Sequence, residues 1–253
     1  MAHLCGQTKT IKMNQPPNLN YTNNKSSKII GFLLIAGAIG VFIPYTILTM
    51  TFEYPDILRQ DAGTILTKFH EGGSSLIFTW WAFAILGLPL LFAYQLIGQK
   101  LESNSGFIKP VTTIGVISII VQLIGLLRWV FVVPVIANSY VTGDASAKEA
   151  AKIAFQTVHQ FGGVLLGEHI GQLFTIAWTI MISVVFIKSN YFPKWVSWFG
   201  IIASVIYLIA QAELFATVIP GFPVWDMAGF IGSTLWLVWL IIIGITFIRR
   251  KTN

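Results

Sequence analysis

Residues 162–187 read GGVLLGEHIGQLFTIAWTIMISVVFI. This stretch carries one Glu, one His and no Lys or Arg. It exceeds the roughly 20 residues that a helix rising 1.5 Å per residue needs to cross about 30 Å of hydrocarbon. A backbone in lipid must satisfy its own hydrogen bonds, so the segment is a spanning helix. Five further stretches share its character, at 29–51, 74–98, 110–137, 195–217 and 227–248. The alternation of a β-barrel is absent. The fold class is therefore all-α, a polytopic membrane protein built as a six-transmembrane-helix bundle.

Composition agrees. Of 253 residues 55% are hydrophobic and 10% charged, where a soluble domain carries about 25% charged residues. Residues 1–28 are polar, contain Pro16-Pro17 and are expected to form a disordered cytoplasmic tail. That leader is too long and polar for a signal-peptide n-region, and no small-x-small cleavage site follows the first apolar run. Residues 29–248 form the six-helix domain and 249–253 a basic C-terminus. The single cysteine, Cys5, excludes a disulfide framework and a cysteine metal site.

Charge sets the orientation. Lys9, Lys12, Lys25, Lys28, Lys100, Lys109, Lys188, Lys194, Arg249, Arg250 and Lys251 fall on one side of the expected spans. Arg59, Lys68, Lys148 and Lys152 fall on the other, with Glu53, Asp56, Asp61, Glu71, Asp144, Glu149 and Asp226. Basic loops stay cytoplasmic, which puts both termini inside. The net charge of +6 thus reports topology, and nucleic acid is not an expected partner. Pro44, Pro89 and Pro134 are expected to kink spans 1, 2 and 3, which neighbouring helices tolerate. Trp195, Trp198 and Trp225 fall at span ends as interfacial anchors. The deeper Trp80, Trp81, Trp129, Trp178, Trp236 and Trp239 are read as packing residues.

Two outer connections carry helical periodicity. Leu58, Ala62, Ile65, Leu66 and Phe69 recur at three- and four-residue steps within 55–70, and Ala147, Ala150, Ala151, Ala154 and Val158 do so within 145–159. Each predicts an amphipathic helix on the outer surface. Both end alike, Phe69-His70-Glu71-Gly72-Gly73 and Val158-His159-Gln160-Phe161-Gly162-Gly163, with each Gly pair opening the next span. A repeat running in one direction through the membrane implies a pseudo-two-fold axis along its normal.

Ionisable residues at membrane depth are costly and mark function or packing. Arg128 lies about 15 Å below the outer end of span 3, Glu168 and His169 about 10 Å below that of span 4, with Glu213 closer to the end of span 5. The expected contact is an Arg128–Glu168 pair, with Glu213 as the second choice of partner for Arg128. The step Gly163-x-x-x-Gly167-x-x-x-Gly171 invites another backbone close to span 4. At helical phase Glu168 and Gln172 share one flank of it, facing a cavity, and His169 points elsewhere. Gly200, Ser204, Tyr207 and Gln211 follow one face of span 5 toward the same space.

His70, His159 and Asp226 at outer junctions compose a candidate metal set, two imidazoles and a carboxylate, without a short spacing motif to support it. His159 and His169 lie about 15 Å apart along one helix, too far to share a haem iron. No cofactor is assigned.

Tyr54-Pro55-Asp56-Ile57-Leu58-Arg59, the Phe69-His70-x-Gly-Gly junction, Arg128-Trp129 and Gly167-Glu168-His169-Ile170-Gly171-Gln172-Leu173 resemble a group of bacterial multi-pass membrane proteins, domain-of-unknown-function family 4386. The resemblance covers about residues 28–250 and implies an inner-membrane protein without an established activity, so no catalytic residue carries over. Three readings stand at this point. One is a small-molecule or ion-binding, transport-type bundle with Arg128, Glu168, Gln172, Glu213 and His169 around a polar outer-leaflet cavity. The second is a structural or interaction subunit whose Arg–Glu pair only fixes packing, and the third an intramembrane enzyme. Apart from the lipid bilayer and a small-molecule or ion ligand, no partner or oligomeric state is read from the sequence. The orientation has a direct test: a membrane-impermeant maleimide should leave Cys5 unlabelled in intact cells and label it after permeabilisation. Labelling of intact cells reverses the topology.

Overall fold

The computed structural model describes residues 19–102 and 106–250. His3, Cys5, Lys9, Lys12, Pro16, Pro17 and Lys251 lie outside the described residues. Among the described residues every regular element is helical. In chain order these are α1 (Leu19–Phe52), a 3₁₀ turn (Asp56–Arg59), α2 (Ala62–Ile85), α3 (Leu88–Leu101), α4 (Ile108–Phe131), α5 (Val133–Thr142) and α6 (Ala145–Val158). A π-helix (His159–Ile170) follows, then α7 (Gly171–Lys188), α8 (Lys194–Ile209), α9 (Gln211–Ala216) and α10 (Ala228–Arg249). Six stretches are long and apolar enough to cross a membrane: Lys25–Phe52, Ala62–Leu101, Ile108–Thr142, Ala145–Lys188, Lys194–Ala216 and Ala228–Arg249. α1 starts at Leu19, within the stretch read from sequence as a tail. We call the end of the bundle bearing Glu53, Asp61 and Asp144 the acidic end, and the opposite one the basic end.

The prolines divide spans instead of merely bending them. Pro89 and Pro134 each sit in the first turn of a new helix, α3 and α5, where a missing N–H costs nothing. Pro44 alone lies inside a helix.

The two amphipathic segments differ from expectation and from each other. The first is not one helix from Pro55: the 3₁₀ turn ends, and α2 restarts where the Asp61 carboxylate accepts from Thr64 N at 3.1 Å and from Thr64 Oγ1. Those hydrogen bonds hold the Asp61 carboxyl below the usual carboxylate range. Its contribution is therefore present above the unfolded-state value and is lost as pH falls through the folded one. Leu58, Ala62, Ile65, Leu66 and Phe69 are all buried, as their spacing requires. Gly73 then breaks α2 at φ 54°, ψ −150°, a conformation that only glycine adopts without strain.

The second segment has no such break. α6, capped by Asp144 accepting from Ala147 N at 2.9 Å, runs into the π-helix and on into α7. Its packed face is Ala151, Phe155 and His159, while Ala150 and Ala154 are exposed. Gly162-Gly163 therefore does not open a new helix; it makes room for Arg128, whose side chain occupies the space that a Cβ on Gly163 would need.

Two large apolar clusters fill the bundle, beside a small one of Ile176, Tyr207, Ala210 and Ala228. One, toward the basic end, gathers Leu90, Tyr94, Ile119, Trp178, Trp236, Trp239 and Phe247. The other, toward the acidic end, gathers Phe52, Leu58, Phe69, Trp80, Phe83, Trp129 and Phe155. Tyr94 stacks on Trp178 in the first and Trp80 on Trp129 in the second. Trp195, Trp198 and Trp225 are exposed, where anchors belong.

Between the clusters α4 and the fourth span touch backbone to backbone. A Cβ on Gly125 would stand 2.7 Å from the Gly167 Cα, and one on Gly171 would overlap Gln122. Gly163, Gly167 and Gly171 thus receive Arg128, Gly125 and Gln122 of α4 in turn. Gly125→Ala is expected to lower stability by about 1–3 kcal/mol, as overpacking does. Thermal unfolding in detergent, with Gly106→Ala as the unhindered control, measures it.

Candidate functional site

The space between the two clusters is a cavity of about 130 Å³, the order of size that takes one benzene-sized ring. Its walls combine Tyr54, Trp80, Phe83, Trp129 and Trp236 with four polar side chains, Gln122, Arg128, Glu168 and Gln172. Three tryptophans read from sequence as packing residues therefore also line this space. The glycine step creates it: without side chains at Gly163 and Gly167, polar groups on α4 and the π-helix can face the same volume.

Arg128 is 7% exposed. Its Nη1 donates to the Gly125 carbonyl of its own helix, and its guanidinium lies 5.1 Å from the Trp129 ring centroid. Its buried Nε has no partner. The expected Arg128–Glu168 ion pair is not formed. Glu168 instead accepts from Arg59 Nη2 at 3.2 Å, and the Arg59 Nε donates to Glu213 at 2.9 Å. The physical reason is reach. The 3₁₀ turn carries Arg59 over the acidic end of the bundle between spans 4 and 5, while Arg128 is turned into the glycine notch.

Arg59 was missed as a site residue, although a charge sum signals it. Arg128 alone cannot balance Glu168 and Glu213, so a second cation had to come from a connection. Burial opposes its charge, but Glu168 and Glu213 outweigh that and raise the Arg59 pKa above the ordinary arginine value. The contribution of the clasp from this side is full below the unfolded-state pKa and is lost only as pH rises through the folded one, so Arg59 stays charged at any working pH. Beside it, burial first and the Glu168 charge second push the Tyr54 hydroxyl far above the usual tyrosine range.

Gln172 joins a chain of polar contacts. Gln211 Nε2 donates to Gln172 Oε1 at 2.7 Å, and Gln211 Oε1 meets His169 Nδ1 at 2.9 Å. His169 thus turns away from the cavity toward α9. On α4, Gln122 Nε2 donates to Thr175 Oγ1 at 3.0 Å and ties that helix to α7.

The proposed metal residues do not meet. His70 and Asp226 are exposed, whereas His159 is buried with both ring nitrogens unpartnered, stacked on Phe155. Among the described residues no group of three or more His, Cys, Asp or Glu is placed to hold a metal ion.

Fold and site together define a multi-pass, all-helical membrane protein with an aromatic and polar cavity between its spans. The chain belongs to the family described as Domain of unknown function (DUF4386), which it matches over residues 29–244. No curated protein and no solved structure matches it.

A double-mutant cycle tests the clasp. Arg59→Ala and Glu168→Gln are expected to couple by about 1 kcal/mol, near the upper end for a partly exposed pair. Arg59 and the more exposed Glu213 should couple less. Unfolding midpoints of the four proteins in each cycle give both energies, and additivity within error removes the clasp.

Proposed function

We propose that the protein binds a small, largely apolar anion in this cavity, as a membrane-embedded binding or transport component. One observation carries this reading: Arg128 is a cation at membrane depth with no ion-pair partner among the described residues, its Nε unpaired, on the wall of an aromatic cavity. Glu168, the carboxylate that shares this cavity with Arg128, is held by Arg59; a buried charge left without a direct partner is costly, and a ligand carboxylate facing the guanidinium supplies one. The five aromatic walls recognise a ring or short apolar body, which a cavity of about 130 Å³ limits to about one ring. Tyr54 and Leu58 form the wall nearest the acidic end, and the Arg59 clasp pins their segment in place. By the positive-inside rule the acidic end faces outward, and the resemblance to bacterial multi-pass proteins supports an inner membrane.

A second reading has its own support. The Arg128 guanidinium fits the Gly163 notch and the Gly125 carbonyl, as a residue that fixes helix register does.

Benzoate separates the two readings. It is expected to raise the unfolding midpoint of the wild-type protein, and toluene to do so less. Arg128→Met, which removes the charge at similar length, should abolish the benzoate shift while leaving unliganded stability unchanged or higher. Arg128→Lys should retain part of the shift. Loss of unliganded stability in Arg128→Met, with no benzoate shift in the wild type, establishes the register role and overturns ligand binding.

A further inference from the structure

Threonines on the outer faces of the bundle are satisfied within their own helices. Thr46, Thr49, Thr51, Thr79 and Thr113 each donate to the carbonyl four residues back. Gln122 of α4 likewise reaches the Ser118 carbonyl at 3.1 Å. The two glutamines of α3 depart from this pattern. Gln95 and Gln99 are exposed, and among the described residues neither side chain makes a hydrogen bond. Helix α3 ends at Leu101, at the basic end, so Gln95 lies about 9 Å inside that end at 1.5 Å per residue. Acyl chains offer an amide neither donor nor acceptor.

The spacing of these residues is as informative as their exposure. The exposed positions of α3 are Phe92, Gln95 and Gln99, and Glu102 continues them at the C-cap. Steps of three, four and three residues draw one narrow seam along the helix, the spacing with which two helices pack side by side. The other side of α3 is occupied within the chain: Ala93, Tyr94, Ile97 and Leu101 are buried, and Thr112 of α4 fills the space beside Gly98. A concavity of about 350 Å³ borders the seam on the side of Lys109, Thr113 and Ile117 of α4. Lys109 Nζ stands 2.7 Å from the Glu102 carboxylate, so the seam ends in a neutral pair.

We infer that the chain forms a parallel dimer through this face, α3 against α3 of a second copy. Two copies inserted alike in one membrane are related by a two-fold axis along its normal. Such an axis sets each seam residue opposite its own counterpart, so Gln95 faces Gln95 and Gln99 faces Gln99. An amide carries both donor and acceptor whichever way it is turned, and is therefore complementary to itself. Side-chain amides join helices in lipid, and a polar pair within a helix seam fixes its register. A second copy fits this face better than a lipid headgroup does. A phosphate needs the Lys109 charge, which Glu102 already holds, and reaching Gln95 would draw its own charge into hydrocarbon. The dimer does not depend on what the cavity holds.

Cross-linking in membranes tests the face, since Cys5→Ser leaves a chain without cysteine. In that background copper phenanthroline is expected to join Phe92→Cys chains into dimers. It should leave Ile202→Cys chains, 55% exposed on α8, as monomers. Energy transfer between whole chains labelled at Cys5 and diluted in liposomes gives the dimerisation constant. Gln95→Leu with Gln99→Leu should weaken dimerisation about tenfold, the loss that two interhelical hydrogen bonds account for. Gln95→Asn with Gln99→Asn should recover part of it. Equal cross-linking at 92 and 202 overturns the proposal, as does a wild type that is monomeric at every dilution or a dimer that the leucines leave unchanged. A monomeric wild type that retains phospholipid lost from the leucine variant assigns the seam to a headgroup and overturns it too. The cross-linking pattern with both glutamines in place decides the matter even where the leucine variant fails to fold.

Discussion

The backbone contact between Gly125 and Gly167 governs the interior of this protein. Apolar side chains gain nothing from leaving lipid for one another, so helices in a membrane are held by close packing and by polar contacts. Here one such close contact falls midway along the third and fourth spans, at a point where neither helix carries a side chain. Arg128 and Gln122 flank Gly125 by three residues on either side and reach the opposite helix at Gly163 and Gly171. One contact thus places a guanidinium and an amide at the same wall. The cavity is what remains between the two apolar clusters once the helices have come this near.

The spans were legible because their lengths and charge-free composition leave few alternatives in lipid. The structure brings Arg128, Glu168 and Gln172 to one cavity; counting from the span ends put the first two at similar depths, and helical phase put Gln172 on the flank of Glu168. Which groups pair was not legible. Depth ranks candidates along one axis only, and Arg59 belongs to a connection whose path over the bundle depends on the 3₁₀ turn and the Asp61 cap. The phase of α6 was also misjudged: Ala150 and Ala154 look apolar on a hydropathy scale, yet they are too small to compete with Phe155 for the packed face. The two histidines that appear equivalent in sequence, His70 and His159, part company because Gly73 breaks its helix and Gly162-Gly163 does not.

A π-helix of this length is uncommon, since i→i+5 turns occur mostly singly and often at functional sites. In this chain it spans His159 to Ile170 and holds Gly163, Gly167, Glu168 and His169. Its two sides serve different surroundings. Glu168 contributes to the cavity and to the Arg59 contact, while His169 meets Gln211 of α9. Adjacent ionisable residues at membrane depth are thus separated by the helix that carries them, which keeps them from acting as one site.

The Arg59 contacts also bear on the order in which the chain is assembled. Arg59 precedes Glu168 by 109 residues and Glu213 by 154. A chain is made from its N-terminus, so neither carboxylate exists when the first connection reaches its side of the membrane. For that interval Arg59 is a bare cation, and it becomes neutralised only after the fourth and fifth spans have been synthesised and joined to the first three. The clasp is therefore a late-closing contact of biogenesis, one that a truncated or misinserted chain lacks.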